Sequence, residues 1–222
     1  MKPNIYVGYA SIPVKFGFEI EALTPIQQKR FNTEIVNSSD KRKQQYCASR
    51  LLLNQMCKQH FISSDLQADE PLVFPYCLIG RNKSRHNINI SHSNNWIAVA
   101  IADHAIASNV GVDIQTFKSG WTHDKARFFC SEKQVKQGFE QTFEQAKIDH
   151  FFSQLWCQKE AFYKATKKRF TEKGFEGDDF LSTRCIHKDE NSEQASAPPV
   201  FLSLYCESQY QAHFQQHKLL SS

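Results

Sequence analysis

Residues 148–168 have the sequence IDHFFSQLWCQKEAFYKATKK and form the longest periodic segment of the chain. Large apolar side chains recur in it at three- and four-residue spacing, at Phe152, Leu155, Trp156 and Tyr163. This spacing places them on one face of a helix, so we predict a long amphipathic helix here. The rest of the chain must supply the surface against which that face packs.

A second helix and several strands are predicted around this segment. Residues 41–61 carry apolar side chains at helical spacing, and Lys43 and Arg50 share one face of that helix. Short apolar runs predict strands, which cover residues 87–90, 96–101, 110–115, 180–186 and 200–206. Because both halves mix strands with helices, we predict an α+β fold with two lobes, residues 1–104 and 105–222.

The composition excludes several classes of protein. The chain has 222 residues, a formal net charge of +4 and 41% hydrophobic residues, which suits one or two globular units. It has no run of about 18 apolar residues, so we predict no membrane-spanning helix. The first residues lack a secretion-signal pattern and the seven cysteines form no C-x-x-C pair, so we expect a cytoplasmic location. His213 and His217 have no third ligand near them in the sequence, and we expect no metal site there.

Three short segments carry the side chains that could act chemically. They are residues 89–93 (NISHS), 110–114 (VGVDI) and 156–164 (WCQKEAFYK). Each has an ordinary structural explanation by itself, as a polar turn, a strand end, and a helix with a surface ion pair. Because side chains alternate along a strand, we expect Asp113 and Gln115 to project from the same face. The combination of the three segments is more informative than any one of them.

Asp113 and Glu160 together suit one divalent cation, because Mg²⁺ takes oxygen ligands and often only one or two protein carboxylates. Several basic side chains accompany them and could hold phosphate groups; these are His92, Lys164, Arg50 and Lys43. Two carboxylates with several cations indicate a site for Mg²⁺ and a pyrophosphate.

In this order, the three segments resemble the 4′-phosphopantetheinyl transferase superfamily, and specifically its larger, single-chain, surfactin-synthetase-activating type. The resemblance rests on the patterns N-I-S-H-S, G-(I/V)-D and W-x-x-K-E-(A/S)-x-x-K. It covers residues 85–165 and extends weakly to residues 41–53. It implies transfer of the 4′-phosphopantetheine arm of coenzyme A to a serine of an apo acyl or peptidyl carrier protein, with release of 3′,5′-ADP.

The resemblance also implies roles for individual residues. The ligands of Mg²⁺, or of Mn²⁺, would be Asp113, Glu160 and Gln115. The catalytic residues would be Glu160 as general base, Lys159 and Lys164. The residues that bind the phosphates of coenzyme A would be Arg50, Lys43, Arg42, Ser91, His92 and Lys164. Arg50 would hold the 3′-phosphate, and which of Lys41, Arg42 and Lys43 assists it stays open.

The implied architecture is two pseudo-symmetric lobes, each a small antiparallel sheet packed on a long helix, with the active cleft between them. Residues 1–104 would carry the helix that binds the coenzyme A phosphates, and residues 105–222 the metal site and the transferase motif. A monomer would suffice, because both lobes lie in one chain. The net positive charge would attract acidic carrier proteins. We expect neither a membrane nor a nucleic acid as a partner. The pI of about 8.6 is lower than is usual for nucleic-acid-binding domains.

The chain departs from the family pattern at three positions. Gln115 stands where many members have a second acidic residue, Lys133 where Glu is usual, and Lys167 where Gly is common. Two alternatives therefore stay open: a Mg²⁺-dependent pyrophosphate hydrolase, and a non-catalytic module that binds carrier protein or coenzyme A. The sequence does not identify the carrier protein, which could belong to fatty acid, polyketide or nonribosomal peptide biosynthesis. It also leaves open which metal is preferred and what role residues 188–199 have.

Overall fold

The computed structural model of the chain describes residues 4–60, 76–79, 85–103, 109–140, 144–168, 181–186, 199–206 and 211–219. The strands are β1 (Asn4–Ser11), β2 (Tyr76–Ile79), β3 (Arg85–Ser93), β4 (Trp96–Asp103), β5 (Val110–Thr116), β6 (Leu181–Ile186), β7 (Val200–Cys206) and β8 (Gln211–Gln216). The helices are α1 (Pro25–Arg30), α2 (Asp40–Gln59), α3 (His123–Arg127), α4 (Glu132–Glu140) and α5 (Gln145–Thr166). A π-helical turn, Phe31–Ile35, continues α1.

The first sheet has five strands in the order β2-β3-β4-β1-β8. Its pairs are antiparallel except that β8 runs parallel to β1. The central strand β4 is apolar on both faces, which predicts burial on both sides. Ile97, Val99 and Ile101 form one core with residues of α2, and the alternate residues Ala98 and Ala100 form another with the second sheet.

The second sheet has three antiparallel strands in the order β5-β7-β6, and α5 packs against β5 and β7. Gly111 makes close packing of α5 on β5 possible, because a Cβ at this position would collide with the carbonyl oxygen of Ala161. The glycine of the G-V-D segment therefore allows β5 to approach the helix backbone.

The predicted α+β class is confirmed, with two small, mostly antiparallel sheets and two long helices. The predicted lobe boundary at residues 104 and 105 lies outside the described residues. Of the segment 188–199, whose role the sequence leaves open, only residue 199 is described. Strand β8 returns to the first sheet, where Ile5 pairs with Ala212. The chain thus crosses between the sheets twice, and the division into lobes at residue 104 remains a proposal.

None of the helices among the described residues combines the length and hydrophobicity needed to cross a bilayer.

Candidate active site

Side chains of β3 join the two sheets along one edge of β5. Asn89 Oδ1, Ser91 Oγ and Ser93 Oγ each accept a hydrogen bond from a main-chain N–H group of β5, at 3.1, 3.3 and 3.2 Å. The donors are Val112, Ile114 and Thr116. Since alternate residues of a strand share a face, the N-x-S-x-S spacing of β3 matches every second amide of β5. These side chains take the place of a neighbouring strand.

Ser91, Asp113 and Lys164 form a compact polar network at the centre of this seam. Asp113 Oδ1 accepts hydrogen bonds from Ser91 Oγ at 2.7 Å and from Lys164 Nζ at 2.6 Å. Lys164 Nζ also donates to Ser91 Oγ at 2.8 Å. The Asp113 side chain is only 7% exposed, so the ion pair is screened less than a surface pair. Three elements, β3, β5 and α5, therefore contribute one side chain each.

Glu160 lies one helical turn before Lys164 and is partly buried. Burial raises the pKa of Glu160, and the nearby carboxylate of Asp113 raises it further. The ammonium groups of Lys164, Lys118 and Lys167 act in the opposite direction. Glu160 is thus close enough to Asp113 for the two carboxylates to repel each other.

Gln115 is buried on the same strand as Asp113, two residues later. Its Nε2 donates to the main-chain oxygen of Thr116 at 2.7 Å and to Ser93 Oγ at 3.3 Å. These bonds fix the amide group, and its oxygen is the atom that would serve as a neutral ligand. The amide therefore has a defined orientation at the end of β5.

The donor set at this place suits a magnesium ion. Among the residues that the structure describes, no group of three His, Cys, Asp or Glu side chains could hold a metal ion. Mg²⁺ does not require such a group, because it takes one or two carboxylates and completes its shell with water and phosphate oxygens. The mutual repulsion of Asp113 and Glu160 is what a bound dication would relieve. Their assignment as ligands, with Gln115, remains a proposal.

A basic cleft of about 140 Å³ lies next to this network. It is lined by residues of α1, the π-helical turn, α2 and β3: Arg30, Glu34, Ile35, Arg42, Tyr46, Ser49, Arg50, Ile90 and His92. The Arg50 guanidinium lies 4.4 Å above the Tyr46 ring and donates to Ser49 Oγ at 3.0 Å. The cleft therefore brings three arginines together around a volume suited to a small anion.

His92 connects the cleft with the polar network. Partial removal from water lowers the pKa of His92 to about 4, and the cations of Arg42 and Lys164 contribute to this shift. Its Nε2 contacts Arg42 Nη1, which can only donate, so Nε2 is the acceptor. His92 is therefore neutral at pH 7, and its other ring nitrogen carries the proton.

The three basic residues at the start of α2 point to different places. Arg42 lines the cleft, whereas Lys41 Nζ donates to Asn94 Oδ1 at 3.2 Å. Lys43 Nζ lies 3.4 Å from Asp40 Oδ1 and 5.6 Å from the centre of the Phe18 ring. Of the candidates to assist Arg50, the structure places Arg42 in the cleft and Lys43 outside its lining.

Lys159 is buried, and its Nζ donates to the main-chain oxygen of Phe129. Burial lowers the pKa of Lys159. The contact ties α5 to the turn that follows α3, which is a positioning role; direct participation of Lys159 in catalysis remains a prediction.

Two cations near the site were not anticipated from the sequence. Arg30 reaches the cleft from α1, and Lys118 follows β5 and lies 5.4 Å above the Trp156 ring. Short-range patterns do not identify Arg30, because its approach to Arg42 and Arg50 depends on how α1 packs. The sequence does contain an indication of the position of Lys118. Asp149 and Ser153 are polar residues on the apolar side of α5, and their side chains bind the main chain of the segment after β5.

The sequence model of the 4′-phosphopantetheinyl transferase superfamily matches residues 109–219, half of the chain. The matched region contains β5 and α5, and with them Asp113, Glu160 and Lys164. No curated protein matches the chain.

Proposed function

The chain belongs to the 4′-phosphopantetheinyl transferase superfamily, and we propose that it transfers the 4′-phosphopantetheine arm of coenzyme A to a serine of an apo acyl or peptidyl carrier protein. The observation that carries this proposal is the network of Ser91, Asp113 and Lys164, with Glu160 beside it and the arginine cleft next to it. This arrangement combines a partly buried carboxylate with groups that can hold a diphosphate and a separate phosphate.

The proposed reaction is attack of the serine oxygen on the phosphorus atom that bears the pantetheine arm. A new P–O bond forms to serine, and the P–O bond to the adenylate part breaks, so that 3′,5′-ADP leaves. The serine proton passes to Glu160, directly or through a water molecule. The raised pKa of Glu160 brings this carboxylate closer to the neutral range in which a general base is effective.

Positioning supplies most of the proposed rate enhancement. Lys164, with Ser91 and His92, would hold the diphosphate, while Arg50 and Arg42 would hold the 3′-phosphate, and Arg30 lies in the same cleft. A neutral His92 suits this role because it can donate a hydrogen bond to a phosphate oxygen without adding to the repulsion among the cations. Asp113 keeps the Lys164 ammonium at the edge of β5.

Asp113, Glu160 and either Gln115 or water would hold the Mg²⁺ or Mn²⁺ ion that the resemblance implies. When bound, the ion would neutralise charge on the diphosphate oxygens. The larger, single-chain type of transferase and a monomeric state belong to the same proposal. They are supported by the way in which β3 of the first sheet and β5 and α5 of the second build the site within one chain.

The proposal is tested by intact-protein mass spectrometry of several apo carrier proteins incubated with this protein and coenzyme A, with and without Mg²⁺. A Mg²⁺-dependent gain of one phosphopantetheine on a carrier protein is the expected result. Release of free phosphopantetheine without carrier protein would instead indicate the pyrophosphate hydrolase. Binding of coenzyme A without any turnover would indicate the non-catalytic module.

A further inference from the structure

Three histidines meet where β8 lies against the end of α2. His213 on β8 and His217 just after it are four residues apart, and His60 is the residue that ends α2. The Tyr6 ring of β1 stacks on the His60 ring at 3.7 Å between centres and on the His213 ring at 5.4 Å. All four side chains line a cavity of about 190 Å³. We refer to His60, His213 and His217 as the histidine cluster.

His217 is the buried member of the histidine cluster. It is 8% exposed, and its Nε2 atom has no hydrogen-bond partner among the described residues. A Cβ at Gly8 would collide with Met56 Sδ and would lie 3.2 Å from His217 Cδ2, so the imidazole packs over a glycine beside a thioether. Because a thioether is only a weak acceptor, protonation of this ring would place a poorly compensated charge in the interior.

The charges that act on the cluster are those of its own members. Partial burial and the imidazole of His213 lower the pKa of His60. Burial and the imidazole of His60 lower the pKa of His217. No described carboxylate or lysine contributes to either shift, and the phenol of Tyr6 is the other titratable group that faces the cluster. The closed arrangement of α2, β1 and β8 therefore favours neutral imidazole rings.

Proton binding is the chemistry that these side chains offer. In the part of the chain that the structure describes, no three His, Cys, Asp or Glu side chains are placed to hold a metal ion. Imidazole is the side chain whose ordinary pKa, about 6.5, lies close to neutrality. The cluster therefore changes its charge under mildly acidic conditions if β8 separates from α2.

The contacts of β8 on its α2 side suit such a separation. The strand lies at the edge of the first sheet, where β1 is its partner. Gln59 Nε2 donates to Gln215 Oε1 at 2.8 Å, and His213 Nε2 donates to Asn4 Oδ1 at 3.1 Å; both bonds are exposed. The cavity marks missing packing between the strand and the helix. Exposed hydrogen bonds and sparse packing are features of segments that open locally.

We propose that the histidine cluster is a pH-sensitive latch, which holds β8 on β1 at neutral pH and releases residues 211–217 in mild acid. Neutral rings pack together in the closed state, whereas protonated rings on α2 and β8 repel each other. The open state binds more protons, so the latch is closed above about pH 6.5 and weakens as the pH falls below it. Release would uncover the core between the two sheets, against which Ala212 and Phe214 pack. The inference does not depend on the proposed function.

The test is hydrogen–deuterium exchange of the full chain, measured by mass spectrometry at pH 7.5 and pH 5.5 and corrected for the intrinsic pH dependence of exchange. A histidine that stays neutral in the closed state and has its ordinary pKa in the open state favours opening about tenfold more at the lower pH. Since His60 and His217 both contribute, we expect the protection of residues 211–217 to fall by about tenfold to a hundredfold. At pH 5.5 these residues should be less protected than β4, because they open without global unfolding.

Variants assign the pH response to the cluster. In the double variant His60→Gln and His217→Gln, the protection of residues 211–217 should fall less than about twofold between the two pH values. His217→Phe replaces the imidazole by an apolar ring and should also reduce the fall, so the result does not depend on a buried Gln being tolerated. His123→Gln removes an exposed histidine that stacks on Phe139, away from the cluster, and should keep the wild-type response.

Two results would overturn the latch. One is a wild-type pH response in the double variant. The other is protection of residues 211–217 that equals that of β4 at both pH values, which would mean that β8 opens only with the whole fold. Exchange is measured without carrier protein or coenzyme A, so the outcome of the transfer assay has no bearing on this test.

Discussion

The hydroxyl group of Ser91 donates a 2.7 Å hydrogen bond to Oδ1 of Asp113, across the seam between the two sheets. The same oxygen of Ser91 accepts the N–H group of Ile114 and a hydrogen bond from Lys164. One side chain of β3 thus satisfies the main chain of β5 and fixes the carboxylate at the centre of the candidate site. Stability and activity are therefore linked through Ser91.

Replacing Ser91 by Ala should reduce both properties. The variant leaves the buried Ile114 N–H group without its acceptor, which costs about 1–3 kcal/mol of unfolding free energy. It also removes one of the two hydrogen bonds that hold Asp113 Oδ1, the other being from Lys164, so transfer should fall about tenfold. Urea denaturation and the transfer assay measure the two effects, and Ser91→Thr, which keeps the hydroxyl, should restore most of each. Full stability of the Ala variant would contradict the bridging role of Ser91.

Arg50 and Lys43 should differ in their effect on coenzyme A. Arg50→Ala removes a cation from the cleft and should raise the KM for coenzyme A much more than the KM for dephospho-coenzyme A, because only the former carries the 3′-phosphate. Lys43→Gln should change neither, since Lys43 lies outside the cleft lining and beside Asp40. Equal effects of Arg50→Ala on both substrates would refute its assignment to the 3′-phosphate.

His92 should make the fold sensitive to mild acid. Its pKa is about 4 in the folded protein, below the value of about 6.5 expected in the unfolded chain. Between these two values the unfolded chain binds more protons, so the stability that is present above pH 6.5 is lost as the pH falls towards 4. His92→Gln should show a smaller loss of unfolding free energy between pH 7 and pH 5 than the wild-type protein. The same loss in both proteins would mean that His92 does not contribute.

Lys167→Gly should stabilise the protein. Glycine removes the left-handed strain at φ 61°, which is of the order of 1 kcal/mol, although its more flexible unfolded state offsets part of the gain. Thermal unfolding should therefore show a small rise in Tm. A lower Tm for this variant would show that the Lys167 side chain stabilises the end of α5 rather than straining it.

The two long helices were predictable because their signal is local. Periodicity predicted helices at residues 41–61 and 148–168, and the structure has Asp40–Gln59 and Gln145–Thr166. The shared face of Asp113 and Gln115 follows in the same way from alternation along β5. Such patterns depend on residues that are close in the sequence.

Contacts between distant elements could not be predicted in this way. Alternation identifies a strand but not its partner, so the parallel pairing of β1 with β8, about two hundred residues later, had no signal. Arg30 reaches the cleft only through the packing of α1 against α2, where Gln27 Nε2 donates to Asn54 Oδ1 at 3.0 Å. The family motifs predicted Ser91, Asp113 and Lys164 as site residues, and these roles stay predictions. The structure adds the hydrogen bonds that the three side chains make with one another.

The role of Glu160 in the proposed transfer is tested most directly by comparing the wild-type protein with Glu160→Gln in the mass-spectrometric transfer assay, at saturating coenzyme A and Mg²⁺. Glu140→Gln, which changes an exposed carboxylate on α4, serves as the matched control. We expect transfer by the wild-type protein and the control, and a loss of at least about a hundredfold in Glu160→Gln, the lower end of what a positioned general base contributes. Near-normal transfer by Glu160→Gln, with its fold intact, would contradict the assignment of Glu160 as base and metal ligand.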